Sequence, residues 1–151
     1  MAIVDVLRGS ALFRGFTETG IQILAGIAVE RTVAAGSPVF VEEAVSDALI
    51  LIGEGQVRLT AKGASGEAVP LGEAGPGDAL GALSLVSPAR RMCSATAASR
   101  VSAVEIRHAD FQRLLGQKPQ ACLKLLMNVV SDFGQRLQEN REGLRSLVSK
   151  R

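Results

Sequence analysis

The chain of 151 residues has no tryptophan or tyrosine, one histidine and two cysteines, and no long apolar run. Because a membrane span needs a run of about 18 apolar residues, no segment is predicted to cross a membrane. One histidine and two widely spaced cysteines are too few for a metal site, a haem site or a nucleophilic triad. The sequence therefore predicts a non-enzymatic protein with no catalytic residue, no metal site and no required cofactor.

The remaining composition is that of one ordinary domain. Cys93 and Cys122 match no metal or redox motif, so we expect free thiols, and the lone His108 is expected to cap a helix or face solvent. Residues 1–5 do not resemble a secretory signal, which predicts a cytoplasmic protein. The net charge is only +2, although residues 118–151 carry seven basic and three acidic groups. A mildly basic C-terminal segment whose only aromatic residue is Phe133 is a poor nucleic-acid site.

The spacing of apolar residues divides the chain into three segments. Residues 1–30 have large apolar residues at intervals of three and four, which predicts N-terminal helices. Over residues 31–107 the period falls to two, and glycines separate short apolar runs. About eight antiparallel strands are expected there, arranged as a jelly-roll (double-stranded β-helix) barrel. Candidate strands lie at residues 29–33, 38–41, 48–52, 57–59, 94–98 and 101–106.

The third segment, residues 108–151, returns to a helical period. One short helix is expected to end near Gly116, and a long helix over about 119–148 is expected to begin at Pro119. Its residues at alternating intervals of three and four form a continuous seam, which we call the seam face: Leu123, Leu126, Val130, Phe133, Leu137, Asn140, Leu144 and Leu147. Such a seam predicts a parallel homodimer through this helix. The alternative is that its first two turns pack on the same chain's barrel.

Residues 77–97, here called the cassette, have the features of an anion site. A short helix after Gly81 would direct the backbone N–H groups of Ala82, Leu83 and Ser84 at a ligand. Arg90 and Arg91 follow, and an arginine can pair with an anion through two charge-assisted hydrogen bonds. Because neighbours on a strand face opposite ways, only one of the two is expected to enter a pocket.

These motifs, in this order, resemble the cyclic nucleotide-binding domain family. The resemblance rests on Ile-Gly-Glu-Gly-Gln-Val-Arg-Leu at 52–59, on Gly-Asp-Ala-Leu-Gly at 77–81, and on Arg91 standing six residues before Ala97. It implies an eight-stranded jelly roll and a ligand such as cyclic AMP, cyclic GMP or another nucleotide anion. It also implies that polar residues of the last helix contact the base. The ligand-binding candidates are Gly81, Ala82, Leu83, Ser84, Arg90, Arg91, Met92, Cys93, Asn140 and Arg141.

One position departs from the family pattern. Family members carry glutamate where this chain has Ala82, and that glutamate accepts a hydrogen bond from the ribose 2′-hydroxyl. Losing a hydrogen bond to a charged group costs about 1.5–3 kcal/mol, or roughly ten- to a hundredfold in affinity. Three interpretations stay open: weak binding with Ser84 or water as the substitute, binding of another anionic or larger nucleotide, or a pocket that takes no ligand.

The resemblance implies a sensor that signals through its C-terminal helix to a separate effector protein. The alternative is a degenerate member of the fold that binds no nucleotide and acts as a dimeric protein-interaction module. Because the chain ends at Arg151 without a helix-turn-helix segment, no direct DNA binding is expected. No membrane contact is expected either.

Overall fold

The computed structural model describes residues 2–141, in which helices flank antiparallel sheets at both ends. The N-terminal elements are α1 (Ile3–Arg8), a 3₁₀ helix (Ala11–Phe13) and α2 (Glu18–Ala25). Thr17 starts α2 by accepting the Gly20 N–H at its hydroxyl, 3.0 Å away. The N-terminal helical segment is thus present.

Ten strands follow, where the sequence predicted about eight. They are β1 (Ala28–Val33), β2 (Pro38–Phe40), β3 (Val45–Ser46), β4 (Ala48–Glu54), β5 (Val57–Lys62), β6 (Ala68–Ala74), β7 (Ala79–Leu80), β8 (Ala89–Arg90), β9 (Ser94–Ala97) and β10 (Val101–Arg107). The six candidate strands correspond to β1, β2, β4, β5, β9 and β10. The strands outside the candidates are β6 and the two-residue strands β3, β7 and β8, which are too short to produce an alternating pattern.

The strands form three sheets and no single closed barrel. One sheet has the order β1-β10-β4-β7, the second has the order β2-β9-β5-β6, and β3 pairs with β8. All pairs are antiparallel. The coarse prediction, mainly β with flanking helices, is confirmed, whereas the barrel is not found among residues 2–141.

Gly55 carries the chain from the first sheet to the second. Its φ is +92°, and an added Cβ would lie 2.2 Å from the Arg100 carbonyl oxygen. Only glycine fits this turn. The motif at 52–59 therefore joins two sheets rather than forming one hairpin.

Strand β4 is buried on both faces. Leu49 and Leu51 belong to a core shared with the helices, and Ile50 and Ile52 belong to a second core between the sheets. Successive side chains of a strand point to opposite faces, so a strand between two cores is apolar at every position. This explains the uninterrupted apolar run at 48–52.

Two helices follow the sheets, α3 (His108–Gln117) and α4 (Pro119–Glu139), with Pro119 in the first turn of α4 as predicted. Helix α4 packs on the helical core through Cys122, Leu125 and Val129. Leu126 packs partly against the same core. The residues that pack α4 against its own chain therefore lie mostly beside the seam face.

The seam face itself is largely exposed. Leu123, Val130, Phe133 and Leu137 keep 56%, 70%, 46% and 40% of their surface accessible. The alternative prediction was that the first two turns of the seam pack on the same chain. Leu126 does pack there, whereas Leu123 is exposed. Leu144 and Leu147 lie outside the described residues.

The structure describes α4 as far as Glu139, with a turn at Asn140. Asn140 has φ −105° and donates its side-chain Nδ2 to the Arg136 carbonyl oxygen at 2.8 Å. Such side chain-to-backbone bonds compete with helix continuation. The predicted extension to about residue 148 lies mostly outside the described residues. Among residues 2–141, no helix is both long and apolar enough to cross a membrane.

Candidate functional site

The cassette folds around a glycine that no other residue could replace without strain. Strand β7 leads into Gly81, which has φ +73°, and a 3₁₀ helix (Ala82–Leu85) follows. A Cβ at Gly81 would lie 2.2 Å from Arg91 Nη1 and 3.0 Å from the Ala48 carbonyl oxygen. The absence of a side chain therefore lets the Arg91 guanidinium lie directly against the cassette backbone.

Arg91 is a buried cation without a charged partner. It is 7% exposed, its Nη2 donates to the Ala48 carbonyl oxygen at 3.2 Å, and its guanidinium lies 4.2 Å from the centre of the Phe40 ring. Its Nε is buried and has no hydrogen-bond partner among residues 2–141. No carboxylate in that range forms an ion pair with it. A buried charge left in this state is unfavourable, so an anion placed here would be stabilised.

Burial also changes the titration of this group. Desolvation lowers the pKa of the Arg91 guanidinium, and the negative charge of Asp47 opposes that effect. Arginine nevertheless stays protonated in proteins. Burial raises the pKa of the neighbouring Cys93 thiol, which the charge of Arg91 partly offsets. Arg91 therefore offers a buried, fixed positive charge beside a neutral thiol.

Arg90 differs from its neighbour. Its side chain is exposed, and its Nη1 donates to the Glu43 carbonyl oxygen at 2.9 Å. The two adjacent arginines thus occupy different environments, one interior and one at the surface. This contrast makes Arg90 the natural control for Arg91.

The backbone donors of the 3₁₀ helix are fewer than the sequence predicted. The Ser84 N–H donates to the Gly81 carbonyl oxygen at 3.0 Å, and the Ser84 hydroxyl is hydrogen-bonded to that of Ser46. Ser84 is therefore excluded as a free backbone donor, because the i to i+3 bond of a 3₁₀ helix uses its N–H. The N–H groups of Ala82 and Leu83 donate to no atom of residues 2–141.

A cavity of about 350 Å³ opens beside Arg91. This volume lies within the range of small-molecule sites, about 300–1,000 Å³. The cassette forms one side of the cavity, and α4 forms another. Its lining includes Phe40 and Ser46 from the strands, the cassette residues 79–84, 87 and 89–93, and four residues of α4. The cavity is therefore shared between the cassette and the C-terminal helix.

A family model described as cyclic nucleotide-binding domain matches residues 30–118, which is more than half of the chain and includes the whole cassette. The chain belongs to the cyclic nucleotide-binding domain family. Its first strand begins two residues before the matched range, and α3 ends one residue before the end of that range.

Individual relatives agree with this membership. A cyclic AMP receptor protein of Thermus thermophilus is 27% identical over 113 residues, which cover 75% of this chain and 52% of that protein. The chain thus spans about half the length of this curated relative. The crystal structure of the catabolite activator protein from Thermus thermophilus superposes with a TM-score of 0.80 at 26% identity, over 92% of this chain and 63% of that one.

A second solved structure matches over nearly its full length. The N-terminal domain of a transcriptional regulator from Streptomyces coelicolor A3(2) is 30% identical, has a TM-score of 0.78, and is covered to 96%, against 91% of this chain. The described residues thus correspond to a whole domain of that relative.

The predicted site residues divide into those that line the cavity and those that do not. The eight cassette candidates all line the cavity: Gly81, Ala82, Leu83, Ser84, Arg90, Arg91, Met92 and Cys93. Asn140 and Arg141 do not line it, and both are exposed at the end of α4. Within one chain, the lining of the cavity on α4 ends one helical turn earlier, at Arg136, so the contacts of Asn140 and Arg141 with a base stay a prediction.

Four residues of α4 were missed by the sequence-based prediction: Val129, Asp132, Phe133 and Arg136. Their spacing of three, one and three residues puts them on one helix face. Asp132 Oδ2 accepts from Arg136 Nε at 2.9 Å. This spacing is the sequence pattern from which the cavity-lining face of α4 could have been predicted. The seam pattern assigned Phe133 to the seam face only, whereas the structure shows that Phe133 also lines the cavity.

Two side chains of α3 attach it to the cassette. His108 Nδ1 donates to the Leu85 carbonyl oxygen at 2.8 Å, and Gln112 Nε2 donates to the same oxygen at 3.2 Å. The His108 side chain makes no N-cap hydrogen bond of α3; it is half-buried and caps the C-terminal end of the 3₁₀ helix instead. Within residues 2–141, no group of three His, Cys, Asp or Glu side chains is placed to hold a metal ion.

Proposed function

We propose that the chain is a non-enzymatic regulatory module that binds a small nucleotide anion, of the cyclic AMP or cyclic GMP class, in the cavity beside Arg91. One observation carries this proposal. Arg91 is buried, without a carboxylate partner and with an unpartnered Nε among residues 2–141, at the wall of a cavity large enough for a small molecule. Family membership supports the class of ligand.

The eight cassette candidates contribute in different ways to this proposal. Arg91 pairs with the anion, and the free N–H groups of Ala82 and Leu83 add donors. Gly81 gives the backbone room, while Ser84, Arg90, Met92 and Cys93 form the walls and rim. We assign the helix contacts to Asp132, Phe133 and Arg136. Asn140 and Arg141 would reach a ligand only if α4 moved or if a partner subunit supplied them.

The signal is proposed to leave through α4. Val129, Asp132, Phe133 and Arg136 line the cavity, so an occupied cavity contacts the helix directly. A ligand shifts a conformational equilibrium only through contacts that differ between the two states, and these residues provide such contacts. The same helix carries the exposed seam face, which we propose pairs with a second copy of the chain.

The protein or nucleic acid that receives the signal is not identified by the contacts of the cavity. Relatives include a protein named a cyclic AMP receptor and a domain of a transcriptional regulator, and the chain spans only part of the former. A separate effector, the absence of direct DNA binding and a cytoplasmic location stay predictions from the sequence.

The test compares the two adjacent arginines. We expect cyclic AMP or cyclic GMP to give saturable heat in titration calorimetry. Arg91→Lys should weaken binding about ten- to a hundredfold, because lysine cannot make the bidentate contact. Arg90→Lys should change the affinity by less than about threefold, since Arg90 is an exposed group with little net contribution. Thermal melts of both variants establish that they are folded.

A second candidate function has its own supporting observation. Ala82 stands where the family has a hydrogen-bond acceptor, which favours a non-binding, dimeric protein-interaction module. The same titration separates the two. The absence of saturable binding by the folded wild-type protein, with both nucleotides, would support the interaction module and overturn ligand sensing.

A further inference from the structure

The walls of the cavity are mainly apolar. They are formed by aromatic and aliphatic side chains from the strands, the cassette and α4: Phe40, Leu80, Ala82, Leu83, Val129 and Phe133. Ala82 packs against the helical core and follows Gly81, whose backbone touches the Arg91 guanidinium. The surface next to the buried charge is therefore a methyl group rather than a hydrogen-bonding group.

Most polar side chains at the cavity already have partners. The hydroxyls of Ser46 and Ser84 bond each other, and Arg90 donates to the Glu43 carbonyl oxygen. Asp132 accepts from Arg136. Two more polar groups line the cavity, the Ser87 hydroxyl at the exposed rim and the Cys93 thiol, which is a weak hydrogen-bonding group.

Three backbone acceptors of the 3₁₀ helix and its entry also have partners. The Gly81 carbonyl oxygen accepts the Ser84 N–H, and the Leu83 carbonyl oxygen accepts the N–H groups of Val86 and Ser87. The Leu85 carbonyl oxygen accepts from α3, as described above. Of the buried side-chain polar atoms in residues 2–141, only Arg91 Nε lacks a partner, and it is a donor that suits an anion.

We infer that the cavity selects its ligand by the anion and does not select for a sugar hydroxyl, so that a nucleotide with apolar surface at the sugar 2′ position is preferred. The inference rests on the proposed function. In a 3′,5′-cyclic nucleotide the phosphate occupies two sugar oxygens, and the 2′-hydroxyl is the only free one. At the cassette wall no side chain stands as a free acceptor for that hydroxyl, and the Asp132 carboxylate on α4 already accepts from Arg136. A hydroxyl held at the cassette wall therefore gains nothing and stays unpaired against apolar side chains.

The test uses the wild-type protein and three ligands: cyclic AMP, 2′-deoxy cyclic AMP and 2′-O-methyl cyclic AMP. We expect the deoxy and methyl compounds to bind at least as tightly as cyclic AMP, and up to about tenfold more tightly. A site with an acceptor would instead lose affinity when the hydroxyl is removed. Titration calorimetry gives the order directly and needs no variant to fold.

A substitution in the cassette should reverse this order. Ala82→Glu supplies the missing acceptor, and we expect it to favour cyclic AMP over the 2′-deoxy compound by about ten- to a hundredfold. Ala68→Glu is the matched control, because it adds the same carboxylate at an exposed position of β6 that does not line the cavity. It should leave the order of the three ligands unchanged.

Each outcome has a distinct meaning. If wild-type protein binds cyclic AMP more than tenfold more tightly than the 2′-deoxy compound, the inference is wrong while the proposed function stands. Loss of that preference in Asp132→Ala would then assign the acceptor to α4. If a folded Ala82→Glu protein keeps the wild-type order, the placement of the hydroxyl at position 82 is contradicted. Wild-type protein that binds none of the three compounds overturns the proposed function itself.

Discussion

At the scale of single residues, Gly81 combines a backbone constraint with a steric one. Its φ of +73° costs an alanine about 1–2 kcal/mol, whatever its surroundings. Its contact with Arg91 Nη1 adds a second effect, because an alanine methyl would displace the guanidinium. The two effects act on different properties, stability and ligand affinity, and can therefore be separated.

Gly66 is the matched control for Gly81. It has φ +82°, and a Cβ added there would meet no atom of residues 2–141 within 4 Å. We expect Gly81→Ala and Gly66→Ala to lower the free energy of unfolding by a similar amount, about 1–2 kcal/mol, in urea titrations. Only Gly81→Ala should also weaken the binding of cyclic AMP, by at least about tenfold. Equal affinities of the two variants would contradict the placement of Arg91 at the anion.

The environment of Arg91 also shows how far sequence reasoning reaches at this scale. The motif spacing singled out Arg91 over Arg90, and the structure makes Arg91 the buried member of the pair. No pattern could show that its Nε is unpartnered among residues 2–141 or that Phe40 lies under its guanidinium, since those contacts join residues far apart in the chain. The use of the Ser84 N–H by a 3₁₀ bond was likewise invisible in the sequence.

At the scale of elements, α4 has two apolar faces with different roles. Cys122, Leu125 and Val129 attach it to its own chain, whereas the seam face is left exposed. An exposed stripe of this kind on a helix is typical of an interaction surface. Val130 is the best position at which to test whether the seam face pairs with a second copy, because it is 70% exposed and lies between Leu126 and Phe133 in the seam.

We expect Val130→Lys to raise the dimer dissociation constant at least about tenfold, because a seam position would then bury an ammonium group instead of a valine. Gln135→Lys adds the same charge on an exposed position away from the seam face and should leave the constant within about twofold. Sedimentation equilibrium measures both. A protein that is monomeric at all concentrations, or a dimer indifferent to Val130→Lys, would contradict pairing through the seam face.

The same helix explains which part of the fold the sequence could predict. Pro119 and the regular apolar spacing predicted the start of α4 and its amphipathic character. The seven-residue β6 was not among the candidate strands, whereas the other longer strands were predicted from alternation or, for β4, from a continuous apolar run. The two-residue strands β3, β7 and β8 were not, because two residues carry no period. The separation of the strands into three sheets depends on hydrogen bonds between distant segments, and no local pattern reports those bonds.

At the scale of the whole molecule, the helices at both ends of the chain share one core. Leu7 from α1, Leu24 from α2, Phe111 from α3 and Leu125 from α4 belong to the same buried cluster, together with Leu51 of the sheet. Segments that are distinct in the sequence are thus joined in the fold. We therefore expect the described part of the chain to unfold as one cooperative unit.

Leu125→Ala tests this expectation. Leu125 is fully buried, so the substitution should lower the free energy of unfolding by about 2–5 kcal/mol through lost burial and the cavity left behind. Leu71→Ala makes the same change on the exposed edge strand β6, where Leu71 is 58% accessible, and should cost less than about 1 kcal/mol. Circular dichroism in urea should show one transition for both variants. A separate early loss of helical signal in Leu125→Ala would show that α4 unfolds independently of the sheets.

The paired contacts of His108 and Gln112 with the Leu85 carbonyl oxygen have a mechanical consequence. That oxygen terminates the cassette helix, and the two donors sit one turn apart near the start of α3, which is joined to α4 through Lys118 alone. Any displacement of the cassette at Leu85 must therefore either break both bonds or pull the first turn of α3 along with it. Because a single residue connects the two helices, a displacement of α3 also displaces the start of α4. A movement of the cassette is therefore transmitted through α3 to α4.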